Sequence, residues 1–326
     1  MHISDRVSQA KAGRLRGLTT EAGVIAALAM DQRKSLRRMI ASACGVSEDN
    51  IEDSRIAEFK AAVTATLTPY SSAVLLDPEF GLDAATERAS SCGLLLTYED
   101  DGYDNPRPHR MLALMPRFSV RRLRDLGATG IKILLSYTPF DDEQANEEKR
   151  VMIERIGCEC DALDMPFFLE PVGYDPGGLD PKGLEYARLK PEIVIRSMEE
   201  FSKPHYRVDV LKVEFPVNIS FADGRVYTRQ QALEYFRRAD AAARVPYIYL
   251  SAGVCASDFL GLLRMAAEAG ARYSGVLCGR ATWQDGVGAY ACGGVAALRE
   301  WLETEGVRNI RAVNECLRSA VPAIQR

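Results

Sequence analysis

Lys212 is the first residue in the sequence that suggests chemistry, because it lies in the middle of an apolar run. Its apolar neighbours are Val210, Leu211, Val213 and Phe215. An ammonium group in such a run is costly to bury unless it is paired with a carboxylate or shifted toward its neutral form. A neutral lysine amine is a nucleophile that forms Schiff bases with carbonyl groups. Lys212 is therefore a candidate nucleophile, and the alternative is a structural ion pair with Glu170 or Glu214.

Three more charged residues lie in or at the end of other apolar runs. Lys132 lies in the run 130–138, Glu170 in the run 166–174 and Asp31 near the end of the run 24–32. Neighbouring strands run about 4.8 Å apart, so Glu170 can reach either lysine and serve as a general acid or base. Lys132 is expected to supply the second cation that favours a neutral Lys212. Asp31 is expected to bind substrate hydroxyls or to orient a lysine.

Small residues end the last two apolar runs. One run ends in Ser251, Ala252 and Gly253, and the other ends in Gly279 followed by Arg280. Small side chains let backbone N–H groups approach an anion, and an arginine can bind it through two parallel hydrogen bonds. These two segments predict a phosphate site.

Eight apolar runs separated by segments with helical periodicity predict the elements that hold these residues. The runs span 24–32, 73–81, 92–100, 130–138, 166–174, 210–218, 246–254 and 275–283. Nearly all are continuously apolar, as in parallel strands buried on both faces. The connections 142–164 and 228–243 show helical periodicity, whereas 82–91 is too short for more than a turn or two. This pattern predicts a (β/α)₈ TIM barrel, which carries its active site at the C-terminal ends of the strands.

The remaining sequence predicts one domain, 1–326, with an extra N-terminal helix within 1–23 and closing helices within 296–320. The 326 residues are 47% hydrophobic and 26% charged, and 41 basic against 45 acidic residues give a net charge of −4. No long basic run suggests a nucleic-acid or membrane partner. No apolar leader or membrane span is visible, and the eight scattered cysteines are typical of reduced thiols. We expect a cytoplasmic protein.

The sequence predicts neither a metal nor a cofactor. His2, His109 and His205 are isolated from one another. Cys158 and Cys160 are two residues apart on a predicted helix, where they do not share a face, and are expected to be partly buried structural thiols. The G-x-G-x-x-A string at 286–291 follows the last strand instead of opening a βαβ unit, so it is not a dinucleotide fingerprint.

Seven blocks distributed over nearly the whole chain resemble the tagatose 1,6-bisphosphate aldolase family. The blocks are ALAMDQR, LLDPEFGL, ERIGCEC, PFFLEP, DVLKVEFPVN, PYIYLSAGV and GVLCGRATW. The resemblance implies a cofactor-independent class I aldolase that yields dihydroxyacetone phosphate and glyceraldehyde 3-phosphate. Lys212 matches the Schiff-base lysine of the family and Glu170 its acid/base, while Asp31 and Lys132 match further active-site positions. The resemblance assigns substrate or phosphate binding to Gln32, Arg33, Ser251, Ala252, Gly253, Gly279 and Arg280.

The loops 171–183 and 219–227 depart from the family pattern, and these loops can contact the sugar. The alternative substrates are therefore fructose 1,6-bisphosphate and a sulfonated ketose phosphate. Two other functions also remain open: a barrel enzyme in which Lys212 acts only electrostatically, and a non-catalytic sugar-phosphate sensor. A phosphorylated ketose is the expected partner, and a homo-oligomer is compatible with the sequence.

Overall fold

In the computed structural model of the protein, eight parallel strands close into a barrel in chain order, with β1 paired to both β2 and β8. The structure describes residues 7–100, 105–222 and 224–324. The strands are β1 (Ile25–Ala29), β2 (Ala73–Leu76), β3 (Gly93–Thr97), β4 (Gly130–Ser136), β5 (Phe167–Val172), β6 (Val210–Val213), β7 (Tyr247–Leu250) and β8 (Gly275–Cys278). The predicted (β/α)₈ TIM barrel is confirmed, and each predicted run contains one strand.

Helices connect the strands and cover the outside of the barrel. They are α1 (Gln9–Arg16), α2 (Lys34–Cys44), α3 (Asp53–Leu67), α4 (Leu82–Thr86), α5 (Val120–Asp125), α6 (Glu143–Ala162), α7 (Leu184–Phe201), α8 (Arg229–Ala242), α9 (Ala256–Ala269), α10 (Arg280–Trp283), α11 (Gly286–Trp301) and α12 (Val307–Cys316). The connections predicted to be helical became α6 and α8, and the short connection holds only α4. A capping box of Thr228 and Gln231 begins α8. The first residues of the predicted N-terminal helix, with His2, lie outside the described residues.

The strands are shorter than the nine-residue apolar runs that predicted them. Asp31 and Glu99 each lie two residues beyond the end of a strand, and Asp77 lies one residue beyond. The chain leaves the hydrogen-bonded sheet before these carboxylates, so they stand on loops at the C-terminal mouth of the barrel. Apolar runs therefore locate the strands but overstate their length.

The lower part of the barrel interior is apolar and is closed by α1. Alternate strand residues form one cluster with α1 and with Leu18, which follows it: Ile25, Ala27, Ala29, Ala73, Leu75, Leu95, Phe168, Val210, Ile248 and Leu277 meet Ala12, Leu15 and Leu18. Lys11 of the helix forms an ion pair with Asp209, with Nζ 2.8 Å from Oδ2. The N-terminal end of the barrel is thus closed, and the charged candidate site residues lie toward the opposite end.

All eight cysteines are free thiols, as the sequence predicted. Cys160 is buried, but Cys158 is exposed, because residues two apart on a helix point in different directions. The prediction of a partly buried pair was therefore wrong for Cys158. In the described ranges, no helix is both long enough and apolar enough to cross a membrane.

Candidate active site

Glu170 on β5 and Lys212 on β6 face each other inside the barrel. Leu169 pairs with Leu211 in the parallel ladder, so the next residue of each strand comes to the same level. Side chains of a strand alternate between its two faces, and this alternation places both residues on the inner face. Lys212 Nζ lies 2.8 Å from Glu170 Oε2, and both side chains are buried. The predicted contact between the candidate nucleophile and the candidate acid/base is present.

Lys132 on β4 is surrounded by three carboxyl groups. Its Nζ lies 2.8 Å from Glu170 Oε2, 3.0 Å from Asp31 Oδ2 and 2.7 Å from Glu99 Oε1. Burial alone would lower the pKa of Lys132, but the three carboxyl groups raise it well above its ordinary value. Lys132 is therefore held as a cation. Its charge is shared among three carboxyl groups, whereas the sequence predicted only that Lys132 supplies a second cation for Lys212.

The pKa values of the three carboxyl groups around Lys132 are shifted in different directions. Burial would raise the pKa of each, but the charges of Lys132 and Lys212 lower the pKa of Asp31 and of Glu170. At Glu99 burial is the larger effect and the pKa is raised, although Lys132 acts in the opposite direction. Asp31 and Glu170 are thus ionised bases, and Glu99 retains its proton more readily.

Glu99 was missed in the sequence, although a signal for it is present. It lies two residues beyond the end of β3, as Asp31 does beyond β1. It lies inside the third apolar run, 92–100, which extends beyond the strand. A carboxylate just beyond the expected strand end, on the inward side of the alternation, is the pattern that identifies it.

The loop after β1 holds Asp31, Gln32 and Arg33. Gln32 Nε2 donates to Asp31 Oδ1 at 3.2 Å, and its Oε1 is buried without a hydrogen-bond partner among the described residues. Arg33 Nη2 donates to the carbonyl oxygen of Glu99 at 2.9 Å, and its Nη1 lies 3.6 Å from Glu79. Gln32 therefore lies beside Asp31 and presents a buried hydrogen-bond acceptor. Arg33 joins the loops after β1, β2 and β3.

The segments predicted to bind phosphate meet at the mouth of the barrel. Ala252 and Gly253 both have positive φ, 49° and 73°. A Cβ added to Gly253 would lie 2.7 Å from Cζ of Arg280, so the guanidinium group rests against this glycine. A Cβ on Gly279 would lie 2.5 Å from the carbonyl oxygen of Ala29, which explains the need for glycine there. Ser251, at the end of β7, is buried.

The short helix α10 begins at Arg280 directly after β8. In this fold the loops after strands 7 and 8, together with the start of a short extra helix, commonly form the phosphate site. The protein therefore brings its two predicted phosphate segments to the place where the fold can use them. The arrangement can hold one phosphate beside the lysine and carboxylate cluster.

Two other strand-end acids have structural contacts. Glu214 Oε2 accepts the N–H of Gly173 at 2.8 Å, and Oε1 lies 3.3 Å from Lys190 Nζ. Asp77 pairs with the buried Lys60 and accepts the N–H groups of Glu79 and Phe80. Asp77 thus satisfies the backbone N–H groups of the loop after β2.

Within residues 7–100, 105–222 and 224–324, no group of three or more His, Cys, Asp or Glu side chains is arranged to hold a metal ion. His109 Nδ1 lies 2.8 Å from Asp141, and His205 Nε2 lies 3.6 Å from Glu154. Each of these two histidines therefore contacts a carboxylate that is not one of the three around Lys132.

Comparison with known proteins shows extensive sequence similarity to aldolases. The model of the DeoC/LacD family aldolases matches residues 25–285. Tagatose 1,6-diphosphate aldolase 2 of Enterococcus faecalis is 48% identical over 305 residues, covering 92% of this chain and 91% of the relative. Tagatose 1,6-diphosphate aldolase of Listeria monocytogenes is 46% identical over 323 residues, covering 97% and 94%. The Staphylococcus aureus protein of the same name is 45% identical over 316 residues, covering 95% and 96%.

Solved structures agree on the fold. Fructose-bisphosphate aldolase from Plasmodium falciparum superimposes with a TM-score of 0.68 at 13% identity, over 96% of this chain and 95% of that one. An archaeal fructose 1,6-bisphosphate aldolase superimposes with a TM-score of 0.57 at 16% identity, over 91% and 99%. The family match and the three relatives, which together span most of the chain, show that this protein belongs to the DeoC/LacD family of aldolases and is therefore a lyase.

Proposed function

We propose that the protein is a class I aldolase that cleaves D-tagatose 1,6-bisphosphate to dihydroxyacetone phosphate and D-glyceraldehyde 3-phosphate through a Schiff base on Lys212. The observation that carries the proposal is the 2.8 Å contact between Lys212 Nζ and Glu170 Oε2. Relatives at 45–48% identity that are named tagatose 1,6-diphosphate aldolase support the substrate. The proposed setting is the cytoplasm, in agreement with the eight free thiols.

Lys212 is a better nucleophile than Lys132 for a reason of geometry. All three contacts of Lys132 Nζ are with carboxyl oxygens, and its side chain has no exposed surface. Lys212 contacts one carboxylate oxygen, which it shares with Lys132, and 4% of its side chain is exposed. A carbonyl carbon can therefore approach Lys212 Nζ. Lys132 stays charged and fixes the position of Glu170.

The reaction begins with loss of a proton from Lys212, for which the ionised Glu170 is the adjacent base. The neutral amine attacks C2 of the open-chain ketose to give a carbinolamine. Glu170 returns its proton to the carbinolamine hydroxyl, which leaves as water, and this gives a protonated imine and an ionised Glu170. Glu170 then takes the proton of the C4 hydroxyl while the C3–C4 bond breaks, and the bonding electrons move to the imine nitrogen. The aldehyde leaves, the enamine is protonated at C3, and water releases the ketone and the amine.

The remaining residues hold the substrate in this proposal. Ser251, Gly253 and Arg280 bind one phosphate at the mouth. Asp31 binds a hydroxyl and, with Glu170, keeps Lys132 in place. The buried, unpartnered Gln32 Oε1 can accept a hydrogen bond from a sugar hydroxyl, because buried polar atoms gain most from a partner.

Borohydride trapping tests the imine. The protein is treated with tagatose 1,6-bisphosphate and borohydride, digested and analysed by mass spectrometry. We expect an adduct of the ketose or dihydroxyacetone phosphate on the peptide that contains Lys212, and no adduct on the peptide with Lys132. An unmodified Lys212 peptide, together with an active Lys212→Ala variant, would refute the Schiff base. Binding of the sugar without turnover in a coupled dehydrogenase assay would show a sensor instead.

The substrate needs a separate experiment. We would compare kcat/KM for tagatose 1,6-bisphosphate, fructose 1,6-bisphosphate, the corresponding monophosphates and a sulfonated ketose phosphate. The proposal expects the highest value for the tagatose compound. A higher value for any other member of the panel would reject the sugar while leaving the chemistry of Lys212 in place.

A further inference from the structure

Glu99 belongs to the group of charged side chains formed by Asp31, Glu99, Lys132, Glu170 and Lys212, which we call the Lys132 cluster. The proposed reaction gives roles to the other four residues. Glu99 is nevertheless fixed at the cluster, with Oε1 2.7 Å from Lys132 Nζ. Only 2% of its side chain is exposed.

The backbone at Glu99 is anchored from two sides. The residue forms an antiparallel bridge with Leu114, and its carbonyl oxygen accepts a hydrogen bond from Arg33 Nη2 at 2.9 Å. The backbone that carries Glu99 is therefore fixed, and this places its side chain beside Lys132.

The two carboxyl oxygens of Glu99 have different surroundings. Oε1 accepts from Lys132, whereas Oε2 is buried and has no hydrogen-bond partner among the described residues. An ionised carboxylate spreads its charge over both oxygens, and a buried oxygen without a donor leaves that charge unsolvated. A neutral carboxylic acid with its proton on Oε2 leaves an unpaired hydroxyl there instead of an unpaired charge, and this costs less.

The balance of charge favours the same state. The Lys132 cluster holds three carboxyl groups and two amines, so full ionisation of these five groups would leave one excess negative charge. The Arg33 guanidinium, which donates to the carbonyl oxygen of Glu99, lowers the pKa of Glu99, but its charge is shared with Glu79. Carboxyl groups around one cation separate into those that ionise and those that keep a proton. The raised pKa of Glu99, beside the lowered pKa values of Asp31 and Glu170, has this pattern.

We propose that Glu99 is a positioning residue that works as a neutral carboxylic acid, holding Lys132 through Oε1 without adding negative charge to the cluster. Its effect on catalysis rests on the function proposed above. An ionised Glu99 would compete with Glu170 for the charge of Lys132, which holds Glu170 in its contact with Lys212. A neutral acid supplies a hydrogen bond to Lys132 without that competition.

Infrared difference spectroscopy of the free protein tests the protonation state. We expect the carbonyl stretch of a protonated carboxylic acid at neutral pH in the wild type, its loss in Glu99→Gln, and its retention in the control Glu154→Gln at an exposed site. No such band in the wild type, or its persistence in Glu99→Gln, would overturn the proposal. Should Glu99→Gln not fold, Glu99→Asp gives the second measurement, because a shorter acid moves the band without removing it.

Kinetics test the positioning role. Glutamine imitates the neutral acid, so we expect Glu99→Gln to keep kcat within about threefold of wild type, whereas Glu99→Ala loses about tenfold or more because Lys132 loses an acceptor. Wild type should also lose activity through an alkaline ionisation that Glu99→Gln lacks. Equal losses in both variants would overturn the role of the neutral acid. The infrared result needs no substrate, so it stands even if Lys212 forms no imine.

Discussion

Replacing Lys132 with methionine is the sharpest test of the electrostatic arrangement. The substitution keeps the approximate length of the side chain but removes the cation that contacts Asp31, Glu99 and Glu170. Breaking a buried ion pair by removing one partner costs about 3–5 kcal/mol. We expect about 3 kcal/mol, the lower end, because Glu170 keeps Lys212 as a partner and 12% of the Asp31 side chain is exposed.

This loss corresponds to a measurable change in melting temperature. An unfolding entropy of about 2.1 cal/mol/K per residue over 326 residues gives about 0.7 kcal/mol/K, so Tm should fall by about 4 °C at pH 8. Lys203→Met is the matched control, since Lys203 pairs with Glu200 at 2.6 Å on the surface. An exposed pair contributes at most about 1 kcal/mol, so the control should change Tm by about 1 °C or less.

The pH dependence of the Lys132→Met effect follows from the carboxyl groups. In the wild type the pKa values of Asp31 and Glu170 are lowered, so these groups stabilise the fold above their unfolded pKa values, and this contribution is lost as the pH falls through the folded ones. In the variant the same groups lack the cation and bind protons more readily. The difference in Tm should therefore shrink as the pH falls from 8 toward 4. A variant that melts like wild type at pH 8, or a gap that widens in acid, would refute this reasoning.

Three further predictions concern the site, and one concerns Lys149 of α6, a buried lysine whose Nζ lies 2.8 Å from the hydroxyl oxygen of Tyr174. Glu170→Gln should lower kcat by about 10²–10⁴-fold with little change in KM, measured in a coupled assay, because the base is lost; unchanged kcat contradicts its role. Gly253→Ala should raise KM about tenfold, since the new Cβ meets Arg280 at a positive φ; an unchanged KM removes this segment from the phosphate site. Burial lowers the pKa of Lys149 to about 8. Above this pH the folded protein holds a neutral Lys149 and unfolding takes up a proton, so the Tm of wild type should rise relative to that of Lys149→Met from pH 8 toward pH 10. A difference in Tm that stays constant with pH refutes this. Full activity should persist in the presence of a chelator, because the protonated imine accepts the electron pair of the breaking C3–C4 bond. A loss of activity that a divalent metal restores would indicate metal-dependent cleavage.

The sequence was enough to predict the barrel and most of the Lys132 cluster. Eight apolar runs located every strand, and the charged residues within three of these runs, Lys132, Glu170 and Lys212, meet inside the barrel. Glu99 was not predicted as a site residue, although, like Asp31, it lies near the end of an apolar run and two residues beyond a strand. Its contact with Lys132 is seen only in the folded chain.

Two other features could not be read from the sequence, because they depend on side chains that are far apart in the chain. The three carboxyl groups around Lys132 come from the loops after β1 and β3 and from β5, so the charge on this lysine is compensated in a way that local spacing does not show. The packing of Arg280 against Gly253 depends on the backbone conformation after β7. The sequence predicted a cation at Lys132 and a phosphate-binding arginine at Arg280, but it did not predict the full set of side chains around them.

Helix α1, with Ala12 and Leu15, and the following Leu18 close the N-terminal end of the barrel together with the ion pair between Lys11 and Asp209. The candidate site lies at the other end, so substitutions at the two ends should act on different properties. Changes near α1 should affect stability, and changes in the loops at the C-terminal mouth should affect substrate choice. These loops can therefore change to accept a different sugar while the closed end maintains the fold.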